Sequence, residues 1–231
     1  MYIYGKNVAK EKIISKEKIN KAYLSEKFND KEIITLLQNY HIKYTFVKEQ
    51  FLNTKVDGLH QGIILDVDDV ETYEFDYIEK LTKDNPILVM LDHLEDPHNF
   101  GAIIRTCEAL GIDAIIIPND RSVNINATVV KTSAGAIYNT KIVRVVNLNT
   151  CIKKLKDIGY WIVGTDMEGT DYRDIDYNMK VCLVIGNEGK GMSKSVKDNC
   201  DYIATIPMQG EINSLNASVS AGIVLSRIVS R

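Results

Sequence analysis

Polar side chains gather near the end of the chain, where an apolar run gives way to a helix. Residues 203–206 predict a buried strand, and Pro207 ends it because proline donates no ladder hydrogen bond. Asn213, Ser214 and Asn216 follow, and either of the first two would cap the next helix. Polar groups at a helix N-terminus beside a strand's carboxyl end predict a ligand site in an open α/β sheet.

A second polar pair lies on a helix that is otherwise apolar. The sequence predicts this helix over 99–110, with Asn99 at its start and Arg105 six positions further on. That spacing is nearly two turns, so we expect both side chains on roughly the same side of the helix. An unpaired arginine is costly to bury, so Arg105 either pairs with an acid or presents a planar fork to a phosphate or ribose.

Glycines punctuate the loop that follows a third apolar run. Gly186, Gly189 and Gly191 come directly after residues 181–185, and they allow the backbone to approach a ligand closely. The loop fails the P-loop pattern because a methionine follows its last glycine, and its glycine order is not that of the Rossmann fingerprint. Glu188 within the loop argues against a polyanion bound directly on it.

The composition is that of an ordinary globular protein, with 231 residues, 45% of them apolar and 26% charged. No apolar run approaches the length of a membrane span, and the N-terminus has no signal-peptide core. The four cysteines are far apart and the four histidines are scattered, so neither a disulfide framework nor a metal site is expected. We therefore expect a cytoplasmic protein with reduced cysteines, no metal and no membrane association.

The charges are distributed unevenly along the chain. Residues 1–60 carry eleven lysines against seven acidic residues, and 61–84 carry two lysines against eight acidic residues. The basic N-terminal part is either an RNA-binding surface or a solvated helix surface. The acidic stretch reads as a linker with a short helical end, and its aromatic residues predict that it docks on a folded part. The predicted division is a head domain at 1–70, a linker at 71–85 and a body domain at 86–231.

Apolar runs and turn residues indicate the secondary structure. In the head, strands are predicted at 19–24, 42–47 and 61–67, with a helix after Asn29 and Asp30. In the body, strands are predicted at 87–91, 114–117, 141–146, 160–163, 181–185 and 203–206, with helices at 99–110, 127–136 and 148–158 and a last one that ends near 228. This pattern predicts an α/β fold, an open and mostly parallel sheet with helices on both faces, preceded by a small α/β unit.

The three polar segments, in this order, resemble the signature motifs of the SpoU (TrmH-like) RNA ribose 2′-O-methyltransferases of the SPOUT class. The motifs are Asn99-x-Gly-x-x-x-Arg105, Gly186-Asn-Glu188-Gly-x-Gly191, and Ile206-Pro-Met208 through Ser214-Leu-Asn216. The resemblance covers 86–231. The head, with Ile3-Tyr-Gly and His60-Gln-Gly-Ile63, resembles the family's accessory RNA-binding domain, which is similar to ribosomal protein L30e. The full-length pattern implies a guanosine ribose of 23S ribosomal RNA as the methylated group.

The resemblance implies S-adenosylmethionine as the methyl donor, a homodimer, and a C-terminal trefoil knot in the catalytic domain. General topology rules would not have predicted a knot. In the family, the arginine of the first motif comes from one protomer and enters a site that the other protomer completes. The loops of the knot would hold the cofactor, largely through backbone contacts, with these residues: Thr165, Gly186, Gly191, Ile206, Met208, Ser214, Leu215 and Asn216.

The implied reaction is an in-line displacement, in which a ribose 2′ oxygen attacks a methyl group on a sulfonium. A guanidinium stays protonated in proteins, so we interpret Arg105 as a clamp for the target phosphate that also stabilises the developing alkoxide. Glu188, His98 or a phosphate oxygen would then accept the proton. The remaining catalytic candidates would shape the site or orient the ribose or the arginine: Asn99, Ser214 and Asn216.

Three other functions remain open at this point. A tRNA ribose methyltransferase of the same class would share all three motifs, although the head favours ribosomal RNA. A non-catalytic RNA-binding module on the same fold is disfavoured because Arg105, Glu188, Ser214 and Asn216 are all present. A Rossmann-type nucleotide enzyme is disfavoured by the order of the glycines.

Overall fold

The computed structural model describes residues 1–16, 18–211 and 214–231. The described chain divides into two compact units. One unit consists of Met1–Val70 with Ile125–Lys131, and the other of Glu71–Asn124 with Thr132–Arg231. Across the described residues, every helix is too short or too polar to cross a membrane.

The first unit is built on a small mixed sheet. Its elements are β1 (Tyr2–Tyr4), α1 (Lys6–Ile14), β2 (Ile19–Ser25), α2 (Lys31–Asn39), β3 (Tyr44–Val47), α3 (Glu49–Asn53) and β4 (Ile63–Val67). The strand order is β1-β4-β2-β3, with β2 and β3 parallel and the other pairs antiparallel. Asp30 caps α2 as predicted, because its side chain accepts a hydrogen bond from the Ile33 N–H at 3.3 Å. The three predicted strands are confirmed, whereas β1 and α3 are too short for the sequence to predict.

The second unit is built on a seven-stranded sheet. Its elements, with α6 of which most belongs to the first unit, are β5 (Thr72–Tyr73), α4 (Asp76–Glu79), β6 (Ile87–Leu91), α5 (Pro97–Ala109), β7 (Ala114–Pro118), α6 (Ala127–Thr132), a 3₁₀ turn (Ala136–Tyr138), β8 (Ile142–Val145), α7 (Leu148–Asp157), β9 (Tyr160–Asp171), β10 (Lys180–Ile185), α8 (Lys194–Lys197), β11 (Tyr202–Thr205) and α9 (Ala217–Val229). The strand order is β11-β9-β10-β6-β7-β8-β5, and every pairing is parallel. The prediction of a mostly parallel α/β sheet is confirmed, and the wholly buried β6 and β7 explain why their sequences are continuously apolar.

The acidic stretch before the second unit docks on that unit's core. Thr72 and Tyr73 form β5, which pairs in parallel with β8 at the edge of the sheet. Ile78 in the short helix α4 is buried, and Phe75 and Leu81 pack against the same hydrophobic cluster. The prediction that the aromatic residues dock is therefore confirmed, because their apolar rings pack on the core while the acidic side chains between them stay exposed.

Strand β9 is longer than the predicted 160–163. It pairs with β10 as far as Gly164, and its later part pairs with β11 after a shift in register. Gly164 lies opposite Ile203, but Thr170 lies opposite Ala204, so the five residues between them leave the regular ladder. A Cβ on Gly169 would lie 2.3 Å from the Ile203 carbonyl oxygen, so only glycine fits there. These residues are mostly exposed and polar, which is why an apolar pattern could not predict the strand.

Two helix starts differ from the prediction. Helix α5 begins at Pro97 and is capped by Asp96, whose carboxylate accepts from the His98 N–H at 2.9 Å, so Asn99 lies within the first turn. Helix α9 begins at Ala217 and is capped by Asn216. Ser214 is therefore not the cap, because the chain reaches helical geometry only after Asn216, and Asn213 lies outside the described residues.

Candidate active site

A cleft of about 710 Å³ opens at the carboxyl edge of the parallel sheet of the second unit. Strands β6 and β10 are parallel neighbours, so the segments that follow them begin side by side at this edge. The lining comes from the segment after β6, the first turn of α5, the loop after β10 and the segment that leads into α9. The lining residues are Glu95, Asp96, Asn99, Asn187, Glu188, Gly189, Ser214, Leu215, Asn216 and Ala217.

The Asn99 side chain joins the three polar segments. Its amide nitrogen donates to Glu188 Oε1 at 3.1 Å, and its amide oxygen accepts from Asn216 Nδ2 at 2.8 Å. Asn216 also accepts from the Ser218 N–H at 2.9 Å, so the same amide caps α9. Asn99 is only 7% exposed, so both of its polar ends depend on these partners. The Glu188–Asn99–Asn216 chain connects residues that are 89 and 117 positions apart in the sequence.

The glycine loop after β10 owes its shape to its own backbone. The N–H and carbonyl groups of Asn187 and Gly191 exchange two hydrogen bonds, at 3.0 and 2.9 Å. The Asn187 side chain closes the loop further by accepting from the Gly189 N–H at 3.0 Å. A Cβ on Gly186 would lie 2.3 Å from the Met192 nitrogen, so the turn requires glycine at that position. Gly191 adopts a φ of +67°, which a side chain would disfavour.

A buried carboxylate ties this loop to the end of β6. Asp92 is 1% exposed and accepts from the Ser193 N–H at 2.6 Å, and it also lies 2.6 Å from the His93 ring nitrogen Nδ1. Asn187 Nδ2 in turn donates to the His93 carbonyl oxygen at 2.9 Å. Both ends of the glycine loop are thereby fixed to the segment after β6, which also carries Glu95 and Asp96.

Sequence reasoning did not assign a role to four residues of this region: Asp92, Glu95, Asp96 and Asn187. The usable signal was the position of the acidic residues directly after the apolar strand β6, where ligand-binding edges of parallel sheets lie. Asn187 could not have been found in this way, because its role depends on the folded shape of the loop.

The predicted cofactor residues fall into two groups. Ser214, Leu215 and Asn216 line the cleft. The others lie on β9 or on the loops after β10 and β11 without lining it: Thr165, Gly186, Gly191, Ile206 and Met208. Thr165 follows Gly164 on β9 and donates from its hydroxyl to the Val184 carbonyl oxygen at 3.1 Å, which fixes it beside the end of β10.

Arg105 does not lie where the helical spacing predicted. Six residues at 3.6 per turn rotate a side chain by about 120° from the starting direction, so Arg105 is not on the same side of α5 as Asn99. Asn99 faces the cleft, whereas Arg105 is exposed and absent from the lining. Arg105 forms no ion pair within the described part of the chain, so the alternative of a structural ion pair is not supported. His98 is likewise exposed and outside the cleft.

The cleft is acidic. Glu95, Asp96 and Glu188 contribute three carboxylates, and none of the described lining residues is a lysine or an arginine. Such a lining favours a ligand that carries positive charge and disfavours a polyphosphate. Within the described residues there is also no cluster of three or more His, Cys, Asp or Glu side chains with the arrangement of a metal site.

Cysteine chemistry does not contribute to this site. Burial raises the pKa of the Cys151 thiol and of the Cys200 thiol to about 12, and it raises the pKa of Cys107 and Cys182 well above the ordinary value. All four thiols are therefore protonated at neutral pH and are poor nucleophiles.

Comparison with known protein families defines the class. Residues 86–226 match the model of the SpoU rRNA Methylase family, and residues 2–73 match the model described as RNA 2′-O ribose methyltransferase substrate binding. The first match covers more than half of the chain and contains every residue of the cleft. The chain belongs to the SpoU rRNA methylase family, and it is an RNA methyltransferase.

Individual relatives agree with this assignment. The chain is 39% identical to a Bacillus subtilis protein provisionally named TrmH family tRNA/rRNA methyltransferase YacO, over 98% of this chain and 94% of that protein. It is 42% identical to a Staphylococcus haemolyticus protein of the same provisional family name, with the same coverage. Among solved structures, the SpoU methyltransferase AviRb of Streptomyces viridochromogenes in complex with AdoMet has the same fold, with a TM-score of 0.77, 23% identity, and coverage of 100% of this chain and 89% of that one.

Proposed function

We propose that the protein transfers the methyl group of S-adenosylmethionine to the ribose 2′ hydroxyl of a guanosine in 23S ribosomal RNA. The observation that carries the proposal is the Glu188–Asn99–Asn216 chain, which joins the three sequence motifs in one cleft. The family match supports RNA methylation, and the match of residues 2–73 to a ribose methyltransferase substrate-binding model supports the 2′ hydroxyl as the acceptor.

The chemistry of the cleft fits the proposed donor. S-adenosylmethionine supplies an activated methyl group on a positively charged sulfur, and it carries no phosphate. Three carboxylates without a neighbouring cation among the described lining residues suit that charge, and the glycine loop offers backbone groups for the neutral parts. The residues that would hold the donor are Thr165, Gly186, Gly191, Ile206, Met208, Ser214, Leu215 and Asn216.

We assign the cation of the reaction to a second copy of the chain. The described lining of the cleft lacks a positive side chain, while Arg105 of the same chain is exposed and without an ion pair among the described residues. In a homodimer, Arg105 of one protomer would reach the cleft of the other, hold the target phosphate and stabilise the charge that develops on the 2′ oxygen. Glu188, which already faces the cleft, would accept the 2′ hydroxyl proton.

Complementation between two inactive variants tests this arrangement. Arg105→Ala and Glu188→Gln should each lower the rate at least about 100-fold, because each removes a group from every site. Mixed and reassembled, they should regain about a quarter of the wild-type rate, since half of the dimers of a two-fold assembly are mixed and each has one intact site. Lys153→Ala, an exposed change on α7, serves as the control and should remain active. No recovery in a mixture that demonstrably contains mixed dimers would contradict the shared site.

The head is proposed to bring the RNA. In the first unit, Lys16, Lys18 and Lys43 surround a hollow of about 520 Å³ together with Tyr40 and His41. Clustered lysines bind phosphates without reading sequence, and a partly exposed aromatic ring provides a stacking surface. The relatives are named for both tRNA and rRNA, so a tRNA substrate is the second candidate.

The proposal also includes features of the chain as a whole. We divide it into an L30e-like head at 1–70, a linker at 71–85 and a catalytic domain at 86–231, in agreement with the extents of the two family matches. A trefoil knot in the catalytic domain would bring the loops after β9, β10 and β11 together around one donor. The site of action would be the cytoplasm, where ribosomal RNA is made in bacteria.

A further inference from the structure

A second hollow opens at the same carboxyl edge of the sheet, on other strands. It has a volume of about 600 Å³ and lies where β5, β7 and β8 end and α7 begins. Its characteristic side chains are Tyr73, Phe75, Asn119, Arg144, Val146 and Lys154. None of them belongs to the acidic cleft or to the three sequence motifs, so the proposed reaction gives them no role.

The aromatic side chains of this hollow are held firmly and lie beside cations. Tyr73 and Phe75 pack on the core of the second unit. Lys154 Nζ lies 5.2 Å from the centre of the Phe75 ring, and Lys141 Nζ lies 5.1 Å from that of Tyr73. Lys141 also donates to the Tyr73 hydroxyl at 3.2 Å, and this bond raises the pKa of Lys141, so the ammonium stays charged at neutral pH.

The charge of the hollow is opposite to that of the cleft. Arg144 and Lys154 outnumber the single carboxylate, Glu74, among the described lining residues. Arg144 forms no ion pair with any described residue, so its guanidinium is free to bind a ligand. Val146, beside it at the end of β8, is an apolar residue left 83% exposed. Rigid aromatic rings, a free guanidinium and an exposed apolar side chain are the groups that bind unpaired nucleotides.

The position along the sheet relates this hollow to the cleft. The strand order β6-β7-β8-β5 places it two to three strands away from the end of β6. Neighbouring strands are about 4.8 Å apart, so the two openings are separated by about 10 to 15 Å along one edge. A few nucleotides of single-stranded RNA span that distance.

We propose that this hollow binds a nucleotide of the RNA substrate a few positions from the methylated one. The base stacks on Tyr73 or Phe75, and Arg144 and Lys154 bind the adjoining phosphate. The nucleotide is unpaired, because a base in a duplex cannot reach an aromatic side chain in a hollow of this size. This inference rests on the proposed function, since it names a second contact of the same RNA.

Steady-state kinetics of full-length variants tests the role in substrate binding. Arg144→Gln and Lys154→Gln should each raise the KM for a 23S ribosomal RNA transcript about tenfold, with kcat changed less than twofold. Calorimetry should show an unchanged Kd for S-adenosylmethionine, because the hollow does not touch the cleft. Lys153→Gln is the matched control, since Lys153 is the exposed neighbour of Lys154 on α7 and does not line the hollow. KM values within twofold of wild type for both test variants would overturn the inference.

Photo-crosslinking tests the same contact without any methyl transfer. The wild-type protein is irradiated with a transcript that contains 4-thiouridine, and the attached tryptic peptides are identified by mass spectrometry. The expected product is RNA bound to the peptide of residues 56–80, which contains Tyr73 and Phe75. Crosslinks confined to other peptides, or crosslinks that Arg144→Gln leaves undiminished, would refute the hollow as an RNA site. Crosslinks at this peptide in a protein that methylates no RNA would refute the proposed function instead.

Discussion

At the scale of single residues, Asn99 is the junction of the cleft. Its amide uses the donor for Glu188 and the acceptor for Asn216, and its burial leaves neither end a replacement partner in water. An amide is the side chain that can serve a carboxylate on one side and a donor on the other. Asn99 is therefore a positioning residue that sets the directions of Glu188 and Asn216.

Asn99→Asp should test this junction through its pH dependence. The new carboxylate would face Glu188 with an acceptor in place of a donor, so at pH 7.5 we expect a loss of about 1–3 kcal/mol in the free energy of unfolding. Two adjacent carboxylates raise the pKa of one of them in the folded state, so the missing stability should return as the pH falls toward 5. Urea unfolding at both pH values measures the effect.

Asn124→Asp is the control for that substitution, because Asn124 is exposed and lies outside the cleft. It should change the free energy of unfolding by less than about 0.5 kcal/mol at either pH. Equal stabilities of Asn99→Asp and the wild type at pH 7.5 would show that the hydrogen-bonded chain does not hold the cleft together.

The sequence identified Asn99, Glu188 and Asn216 as one constellation, but for partly mistaken geometric reasons. Asn99 was expected to act as a helix start, whereas Asp96 is the cap and Asn99 is a hydrogen-bonding partner within the first turn. Arg105 was expected on the side of α5 that faces Asn99, although six residues turn it away. Side-chain partners depend on tertiary contacts, which residue types and spacing do not contain.

At the scale of elements, the glycine loop after β10 is shaped by close backbone contacts. Gly186 has no room for a Cβ, whereas a Cβ on Gly189 would meet only the Asn187 side-chain oxygen, at 3.8 Å. The loop is further fixed by Asp92, which holds the Ser193 N–H from the end of β6. The position of Glu188 in the cleft therefore depends on main-chain geometry more than on any neighbouring side chain.

Gly186→Ala should move this loop and weaken donor binding. The added methyl group collides with the backbone at Met192, so we expect a loss of about 1–3 kcal/mol in stability and at least a tenfold weaker Kd for S-adenosylmethionine. Thermal unfolding and calorimetry measure the two effects. Gly189→Ala, in the same loop, should unfold within about 2 °C of the wild type. A Gly186→Ala protein that binds the donor normally would remove the loop from the donor site.

Apolar runs predicted most of the strands correctly, because buried parallel strands require continuous apolar sequence. They could not predict the second half of β9, whose residues 165–171 are mostly polar and partly or fully exposed. They could not predict β5 either, since two residues carry no periodic signal. Elements that depend on neighbours rather than on their own burial stay outside the reach of such patterns.

At the scale of the whole molecule, the two units carry different electrostatic roles. The acidic cleft suits a cationic donor, and the lysines of the head suit a phosphate backbone. The sequence indicated this division through its charge distribution. It could not show that the described lining of the cleft lacks its own cation, because Arg105 looked available until the fold directed it outward.

Replacing Lys16, Lys18 and Lys43 together by glutamine should weaken RNA binding and leave donor binding unchanged. Removing one lysine–phosphate pair on single-stranded RNA reduces the slope of log K against log salt by about 0.7, so the triple variant should have a slope smaller by about 2 units. Fluorescence anisotropy from about 50 to 200 mM salt measures it. As a control, three exposed lysines of the second unit, Lys153, Lys190 and Lys194, are replaced in the same way. An unchanged slope for the head variant would contradict its assignment as the RNA-binding surface.

The central claim is methyl transfer to a ribose hydroxyl of 23S ribosomal RNA, and mass-spectrometric mapping of the methylated nucleotide tests it most directly. The protein is incubated with S-adenosylmethionine carrying a labelled methyl group and with unmodified 23S ribosomal RNA and tRNA, and the RNAs are then digested. We predict one labelled 2′-O-methylguanosine in the ribosomal RNA and none in the tRNA. A label on a base, a label confined to tRNA, or no label from a folded protein that binds the donor would contradict the account.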